Sequence, residues 1–237
     1  MARIILVHGA WGNAQSWAAV EPLLRDAGHQ VEALDLPGHG RGAAPSGEIG
    51  QAEYVAHVEA RLMAGPPALL VGHSMGGIVI AQVASRQPHQ VQACVFVTAL
   101  LPRDGESLLD LIRQQATPGV LGAVRKGPVA GTTVLDPSAA AVLFPEATAR
   151  MAALAMSGMS VQSDKAQKDK AVIGPGLATV PRAYVYCDQD RVVTPALQRQ
   201  MVAATPCDAV FTLHSGHAPM LTQPKALAEI LLGLASG

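Results

Sequence analysis

The sequence lacks an excess of charge of either sign. Its 237 residues include 17 lysines and arginines against 18 aspartates and glutamates, which gives a formal net charge of −1 at pH 7. Proteins that bind nucleic acid or anionic membranes usually carry a basic patch that attracts phosphates. We therefore expect neither nucleic acid nor a membrane as a partner.

Cysteine is also scarce. Cys94, Cys187 and Cys207 are too few for a disulfide framework, and their spacing matches no zinc site. No signal-peptide pattern is visible, and no apolar run reaches membrane-spanning length. We expect reduced thiols, no metal, no cofactor and a cytoplasmic location.

Hydrophobic residues, by contrast, make up 49% of the chain and charged residues only 15%. A disordered chain has the opposite balance, and this length suffices for one substantial core. Six short apolar runs could be strands, at 3–7, 31–34, 68–71, 93–98, 182–187 and 209–213. Segments with helical periodicity lie between them, at 16–27, 51–64, 75–87, 195–204 and 224–235. This alternation predicts an α/β fold with a doubly wound, mainly parallel six-stranded sheet.

One long stretch interrupts the alternation. Between about residues 101 and 176 we find no convincing strand, and the segments 105–116, 137–156 and 159–172 resemble helices. We predict a core formed by 1–101 and 177–237, with a small helical cap at 102–176 inserted where ligands bind. The alternative is a set of extra helices packed on the sheet.

The segment 72–77 (GHSMGG) carries a G-x-S-x-G motif between a predicted strand and a predicted helix. In this context the motif is typical of a nucleophile elbow, a tight turn that exposes a serine above the sheet. Glycines on either side avoid crowding at the turn, and the helix N-terminus favours a developing oxyanion. We predict that Ser74 is a catalytic nucleophile.

Acyl transfer also requires two amide donors for the oxyanion. The segment 8–12 (HGAWG) follows the first predicted strand, where the second donor arises in such enzymes. We assign the donors to the backbone amides of Ala10 and Met75. The turn at 35–40 (DLPGHG) is interpreted as structural.

The remaining catalytic residues are expected in the chain order Ser, Asp, His. After the last strand, His217 follows a glycine inside the loop, whereas His214 directly follows the strand, so His217 is favoured as general base. After the preceding strand, Asp190 is favoured as the acid over Asp188, which lies at the strand end. A contribution of Asp188 stays open.

The apolar side chains of Trp11, Met151 and Met156 are candidates for the substrate pocket, since unbranched thioethers adapt to varied ligands. The alternative for the methionines is ordinary packing within the cap. His73, beside the nucleophile, is expected to pack under the elbow.

These motifs, with the segments 96–102 (FVTALLP) and 181–198, resemble the plant methylesterase and hydroxynitrile lyase group of α/β-hydrolases and its bacterial carboxylesterase relatives. The resemblance covers most of the chain except the middle of the cap. It implies a six-stranded sheet, a helical cap and often a homodimer. It also implies Asp190 as the acid and the amides of Ala10 and Met75 as the oxyanion hole.

The chain departs from the lyase branch of this group at two positions. Those lyases have a threonine at the position of Ala10 and a lysine at the position of Ala218. These departures favour a serine carboxylesterase that acts through an acyl-enzyme. The identity of the substrate does not follow from the resemblance, but an apolar pocket under the cap would favour small to medium hydrophobic or aromatic esters. Carbon–carbon cleavage of the hydroxynitrile lyase type, and a ligand-binding receptor with little turnover, stay open as alternatives.

Overall fold

The computed structural model describes residues 1–236, which contain nine β-strands. The strands are β1 (Arg3–Val7), β2 (Gln30–Leu34), β3 (Ala68–His73), β4 (Val91–Val97), β5 (Val124–Lys126), β6 (Thr132–Leu135), β7 (Gln162–Ser163), β8 (Arg182–Cys187) and β9 (Ala209–Leu213). Six of them form one parallel sheet in the order β2-β1-β3-β4-β8-β9. The predicted parallel sheet is therefore confirmed, and each predicted strand lies within two residues of its observed bounds.

Ten α-helices lie in the same residues. They are α1 (Glu21–Asp26), α2 (Gln51–Met63), α3 (Gly76–Arg86), α4 (Leu108–Ile112), α5 (Ala140–Leu143), α6 (Ala149–Ser157), α7 (Asp164–Lys168), α8 (Pro195–Ala204), α9 (Pro219–Thr222) and α10 (Pro224–Ala235). The predicted helix at 16–27 is divided into a 3₁₀ turn, Ala14–Trp17, and the short helix α1. The other predicted core helices match α2, α3, α8 and α10.

The cap region differs most from the prediction. Strands β5, β6 and β7 form a small antiparallel sheet, so the expectation of no strand there was wrong. The predicted helix at 137–156 is interrupted at 144–148, because Pro145 restricts its preceding residue and cannot donate a helical hydrogen bond. Only α4 and α7 remain of the helices predicted at 105–116 and 159–172.

The sheet register determines where the loops meet. Val7 of β1 pairs with Gly72 of β3, and Gly72 pairs with Phe96 of β4. The carboxyl ends of these neighbouring strands therefore lie at one edge of the sheet, where ligands bind in open α/β sheets. Strand β3 is buried throughout and so are the last four residues of β4, which gives this edge a rigid support.

None of the helices within residues 1–236 has the length and apolar character needed to span a bilayer.

Candidate active site

Ser74 occupies a strained turn between β3 and α3. Its φ of 52° lies in the left-handed region, which non-glycine residues rarely adopt, and its side chain is largely buried. The flanking glycines are required by close contacts. A Cβ on Gly72 would lie 2.7 Å from the carbonyl carbon of Gly76, and a Cβ on Gly76 would lie 2.6 Å from the Val7 carbonyl oxygen. The elbow therefore has no room for a side chain at either glycine.

The structure brings His217 and Asp190 together. The Nδ1 of His217 lies 2.7 Å from Oδ2 of Asp190, and both side chains are almost fully buried. Donation from Nδ1–H to the carboxylate leaves Nε2 as the unprotonated ring nitrogen. This is the tautomer that a general base requires.

The histidine beside the elbow, His73, fixes the position of His217. The Nε2 of His73 donates to the His217 carbonyl oxygen at 2.7 Å, and the two rings lie 4.7 Å apart between centroids. Burial, and secondarily His217, hold the pKa of His73 well below its usual value, so His73 is neutral. No hydrogen bond joins the Ser74 hydroxyl to His217 within residues 1–236, and such bonds often tighten only when substrate binds.

The two competing residues, Asp188 and His214, contact each other instead. Oδ2 of Asp188 lies 3.1 Å from Nδ1 of His214, whose side chain is 79% exposed. This pair is at the surface, whereas the pair formed by His217 and Asp190 is buried. Of the four residues weighed from the sequence, Asp190 and His217 form the buried pair, and Asp188 and His214 form the other pair in the same two loops.

The carboxylate of Asp190 accepts four hydrogen bonds. Oδ1 accepts from the backbone amides of Val192 (2.6 Å) and Val193 (3.0 Å). Oδ2 accepts from His217 and from the hydroxyl of Thr98, which is also fully buried. A buried carboxylate with this many donors is held in one orientation.

The loop after β1 lies directly against the nucleophile. A Cβ on Gly9 would lie 2.7 Å from the Ser74 Cβ, so the loop approaches the serine as closely as a backbone can. The amides of Ala10 and Met75 donate no hydrogen bond to any residue within 1–236. Both remain available for an external acceptor.

Two buried histidines, His8 and His39, donate hydrogen bonds to the backbone of this loop. In His8, Nδ1 donates to the Gly9 carbonyl at 2.8 Å and Nε2 accepts from the Leu36 amide at 3.1 Å. Burial, with a smaller effect of His39, lowers the pKa of His8 to about 3. His8 is therefore a neutral connector between the loops after β1 and β2.

His39 connects the same loop to the cap. Its Nδ1 donates to the Gly12 carbonyl at 2.8 Å, and its Nε2 accepts from the Tyr54 hydroxyl at 2.9 Å. Burial lowers the pKa of His39 and raises that of Tyr54 to about 12. Gln162 of β7 donates to the Tyr54 oxygen at 3.1 Å and accepts from the Trp11 amide at 3.2 Å. The turn at 35–40 thus joins a polar network that ends at the candidate oxyanion loop.

The cap helix α6 is attached at both ends to the loops of the site. Before the helix, Glu146 accepts from the Gly216 amide and, at 2.9 Å, from the Ser215 hydroxyl, both next to His217. After it, the Ser160 amide donates to the Trp11 carbonyl at 2.7 Å. The helix itself has no fully buried residue.

The three predicted pocket residues differ in their environment. Trp11 is buried, and its indole Nε1 donates to the Thr133 hydroxyl at 3.3 Å. Met156 is half-buried against the core, whereas Met151 is 37% exposed on α6. Their contact with substrate stays a prediction.

Four residues with contacts in the site were not assigned such roles from the sequence: Thr98, Glu146, Gln162 and His73. The position of His73 next to Ser74 was the one available signal. The other three make contacts across more than 60 residues of chain, which no local pattern reveals.

No group of three or more histidine, cysteine, aspartate and glutamate side chains in the described part of the chain is arranged to hold a metal ion. The three cysteines are free thiols.

Comparison with known proteins agrees with this architecture. The chain is 32% identical to esterase PIR7B of Oryza sativa subsp. japonica over 254 residues, which cover 98% of this chain and 95% of the relative. It is 29% identical to methylesterase 2 of Arabidopsis thaliana, with the same coverage. Among solved structures, a pyrethroid hydrolase from Sphingobium faniae JZ-2 matches with a TM-score of 0.86 at 27% identity, covering 100% of this chain and 98% of that one.

Polyneuridine aldehyde esterase matches with a TM-score of 0.87 at 25% identity, covering 99% of each chain. These relatives support a hydrolase and agree with the predicted resemblance to methylesterases. The sequence profile described as "Alpha/beta hydrolase family" matches residues 4–230, and the chain belongs to this family.

Proposed function

We propose that the protein hydrolyses carboxylic esters through an acyl-enzyme formed on Ser74. The observation that carries the proposal is the buried hydrogen bond of 2.7 Å between His217 Nδ1 and Asp190 Oδ2, next to a strained serine turn. An imidazole that is oriented by a carboxylate and lies beside a serine hydroxyl is the arrangement that activates serine nucleophiles. The esterases among the relatives support the same chemistry.

The first half of the reaction transfers the acyl group to the enzyme. Nε2 of His217 takes the proton of the Ser74 hydroxyl while the oxygen attacks the ester carbonyl. The Asp190 carboxylate stabilises the imidazolium that results. His217 then gives its proton to the departing alkoxide, which leaves as the alcohol.

The second half releases the acid. His217 removes a proton from water, which attacks the acyl carbon, and the proton then returns to Ser74. In both halves the amides of Ala10 and Met75 stabilise the oxyanion, since neither is committed to another acceptor within residues 1–236. Removal of a single side-chain donor aimed at this charge costs about 3 kcal/mol of transition-state stabilisation in a serine protease.

For the substrate we propose small to medium hydrophobic or aromatic esters. Two apolar side chains of the cap, Met156 and Met159, are partly buried against the core and are the candidates for an acyl pocket. Relatives are named for methyl jasmonate, methyl esters and pyrethroids, which are uncharged esters with apolar groups. Ala10 and Ala218 have no polar side chain with which to handle a cyanohydrin or cyanide, which favours ester hydrolysis over lyase chemistry.

Hydrolysis of p-nitrophenyl acetate and of a panel of methyl and aryl esters tests the proposal. We expect turnover by the wild-type protein and loss of about four orders of magnitude or more in kcat for Ser74→Ala. Full activity in Ser74→Ala would contradict the assignment. Release of aldehyde from mandelonitrile without ester hydrolysis would favour the lyase alternative.

A further inference from the structure

Three non-glycine residues within 1–236 have a left-handed backbone. They are Trp11, with φ of 56°, Ser74, with 52°, and Thr98, with 37°. All three follow strands β1, β3 and β4, which are neighbours in the sheet. Strained residues of this kind persist where the surrounding structure enforces them, and they cluster at functional sites. Trp11 and Ser74 belong to the proposed machinery, whereas the family resemblance gives Thr98 no role.

Hydrogen bonds on both sides of the turn hold Thr98 in this conformation. Its amide donates to the Val185 carbonyl of β8 at 2.8 Å. Two residues later, the Leu100 amide donates to the Ser74 carbonyl at 3.0 Å. Between them, the Ala99 carbonyl accepts from the Tyr184 hydroxyl at 2.7 Å. The turn at 98–100 is therefore fixed to the nucleophile on one side and, on the other, to the strand β8 that precedes the loop of Asp190.

This turn aims the Thr98 hydroxyl at one particular oxygen. The hydroxyl donates to Asp190 Oδ2, the same oxygen that accepts from His217 Nδ1, while Oδ1 is satisfied by the amides of Val192 and Val193. Thr98 and Asp190 are both inaccessible to water, so no solvent molecule could replace a lost donor without rearrangement.

We propose that Thr98 is a positioning residue of the catalytic apparatus: its hydroxyl holds Asp190 Oδ2 in line with His217 and shares the negative charge of that oxygen. This inference rests on the proposed function, because it needs His217 to act as the general base. A β-branched residue is disfavoured at a positive φ, so the backbone turn alone does not explain a threonine at position 98. The hydroxyl accounts for its presence.

Removal of the Thr98 hydroxyl should shift the pH dependence of activity in a predictable direction. A second donor to Oδ2 reduces the negative charge that faces Nδ1 and so reduces the stabilisation of a protonated His217 ring. Without the hydroxyl, the protonated ring is favoured more strongly. The general base then becomes available only at higher pH, and the acid limb of the kcat/KM profile moves upward.

The substitution leaves the other titratable groups near the pair of His217 and Asp190 unaltered. They are His73, whose ring lies beside that of His217, Tyr184 and Cys187 near Asp190, and Asp188, His214 and Glu146 on the adjoining loops. A shift of the acid limb on removing the Thr98 hydroxyl is therefore due to that hydroxyl.

The test compares Thr98→Val, which keeps the branched shape, with Thr98→Ser, which keeps the hydroxyl, and Thr98→Ala as a second variant without it. The pH profiles of kcat and kcat/KM are measured with p-nitrophenyl acetate. We expect Thr98→Val and Thr98→Ala to lose about tenfold or more in kcat at optimal pH, with little change in KM. Their acid limb moves to higher pH, and Thr98→Ser restores both properties.

Two outcomes would overturn the inference. One is an unmoved acid limb in both variants without the hydroxyl, because a purely structural role lowers the rate equally at every pH. The other is failure of Thr98→Ser to restore wild-type behaviour. The downfield proton resonance of His217 Nδ1–H should also move in Thr98→Val and not in Thr98→Ser, independently of turnover. If Ser74→Ala were fully active, the proposed function would fail, whereas an inactive Ser74→Ala with unmoved Thr98 profiles would refute this inference alone.

Discussion

At the scale of single residues, two aspartates two positions apart have different surroundings. Asp190 is buried and accepts four hydrogen bonds, whereas Asp188 pairs with the exposed His214. A side-chain contact near the surface contributes little, and a buried carboxylate that orients an imidazole contributes much.

We therefore expect Asp190→Asn to lower kcat by about a thousandfold or more, because the amide favours the wrong imidazole tautomer. Asp188→Asn, the matched control, should stay within a few-fold of wild type. Steady-state kinetics on one ester measures both. Equal losses in the two variants would mean that the acid has been misassigned.

Gly9 provides a second test at this scale. An alanine there would place its Cβ 2.7 Å from the Ser74 Cβ, a distance that forces either the loop or the elbow to move. A misplacement of about 1 Å near the chemistry can cost roughly a hundredfold in rate.

We expect Gly9→Ala to remain folded by circular dichroism and to lose about a hundredfold in kcat/KM. Gly233→Ala is the control, since a Cβ at Gly233 in α10 meets no atom within 4 Å. Unchanged activity in Gly9→Ala would show that the two loops are less tightly coupled than their contact indicates.

At the scale of elements, the cap is attached to the site by α6. Glu146 binds the loop that carries His217, and Ser160 binds the loop after β1. The helix between these attachments carries exposed Leu154 and has no fully buried residue. Its position thus depends on polar contacts at its ends more than on packing.

Glu146→Ala should lower kcat/KM by about tenfold, because the Gly216 amide and the Ser215 hydroxyl lose a charged acceptor. Glu146→Gln keeps an acceptor oxygen and should retain most of the activity. Kinetics with a short and a long acyl ester separates an effect on His217 from one on the pocket. Wild-type rates in Glu146→Ala would show that this contact is dispensable.

The elements of the core could be predicted from the sequence, whereas in the cap only the approximate positions of the helices could be predicted and the strands could not. Strands such as β8 are continuous apolar runs, and G-x-S-x-G in its strand–helix context marks the elbow. The cap strands have only two to four residues each, too few for an alternation to be recognised. Thr98 illustrates the same limit in the site, since its role depends on a contact 92 residues away.

At the scale of the whole molecule, buried histidines make stability depend on pH. Burial lowers the pKa of His8 to about 3 and also lowers the pKa values of His39 and His73. The unfolded chain therefore binds more protons than the folded chain below pH about 6.5, and stability is lost as the pH falls.

We expect the free energy of unfolding, measured in urea, to decrease by about 1 kcal/mol or more per pH unit between pH 6 and pH 4. The decrease should be reversible on returning to neutral pH. A free energy that is constant over this range would mean that the three histidines are not held neutral in the folded protein.

Hydrolysis through an acyl-enzyme requires that Ser74 carry the acyl group during turnover. Acid quenching during hydrolysis of p-nitrophenyl acetate, followed by peptide mapping by mass spectrometry, measures this directly. We expect an acetyl group on Ser74 in the wild-type protein and none in Ser74→Ala, which should also show no burst of p-nitrophenol. Acetyl transfer to another residue, or full turnover by Ser74→Ala, would contradict this expectation.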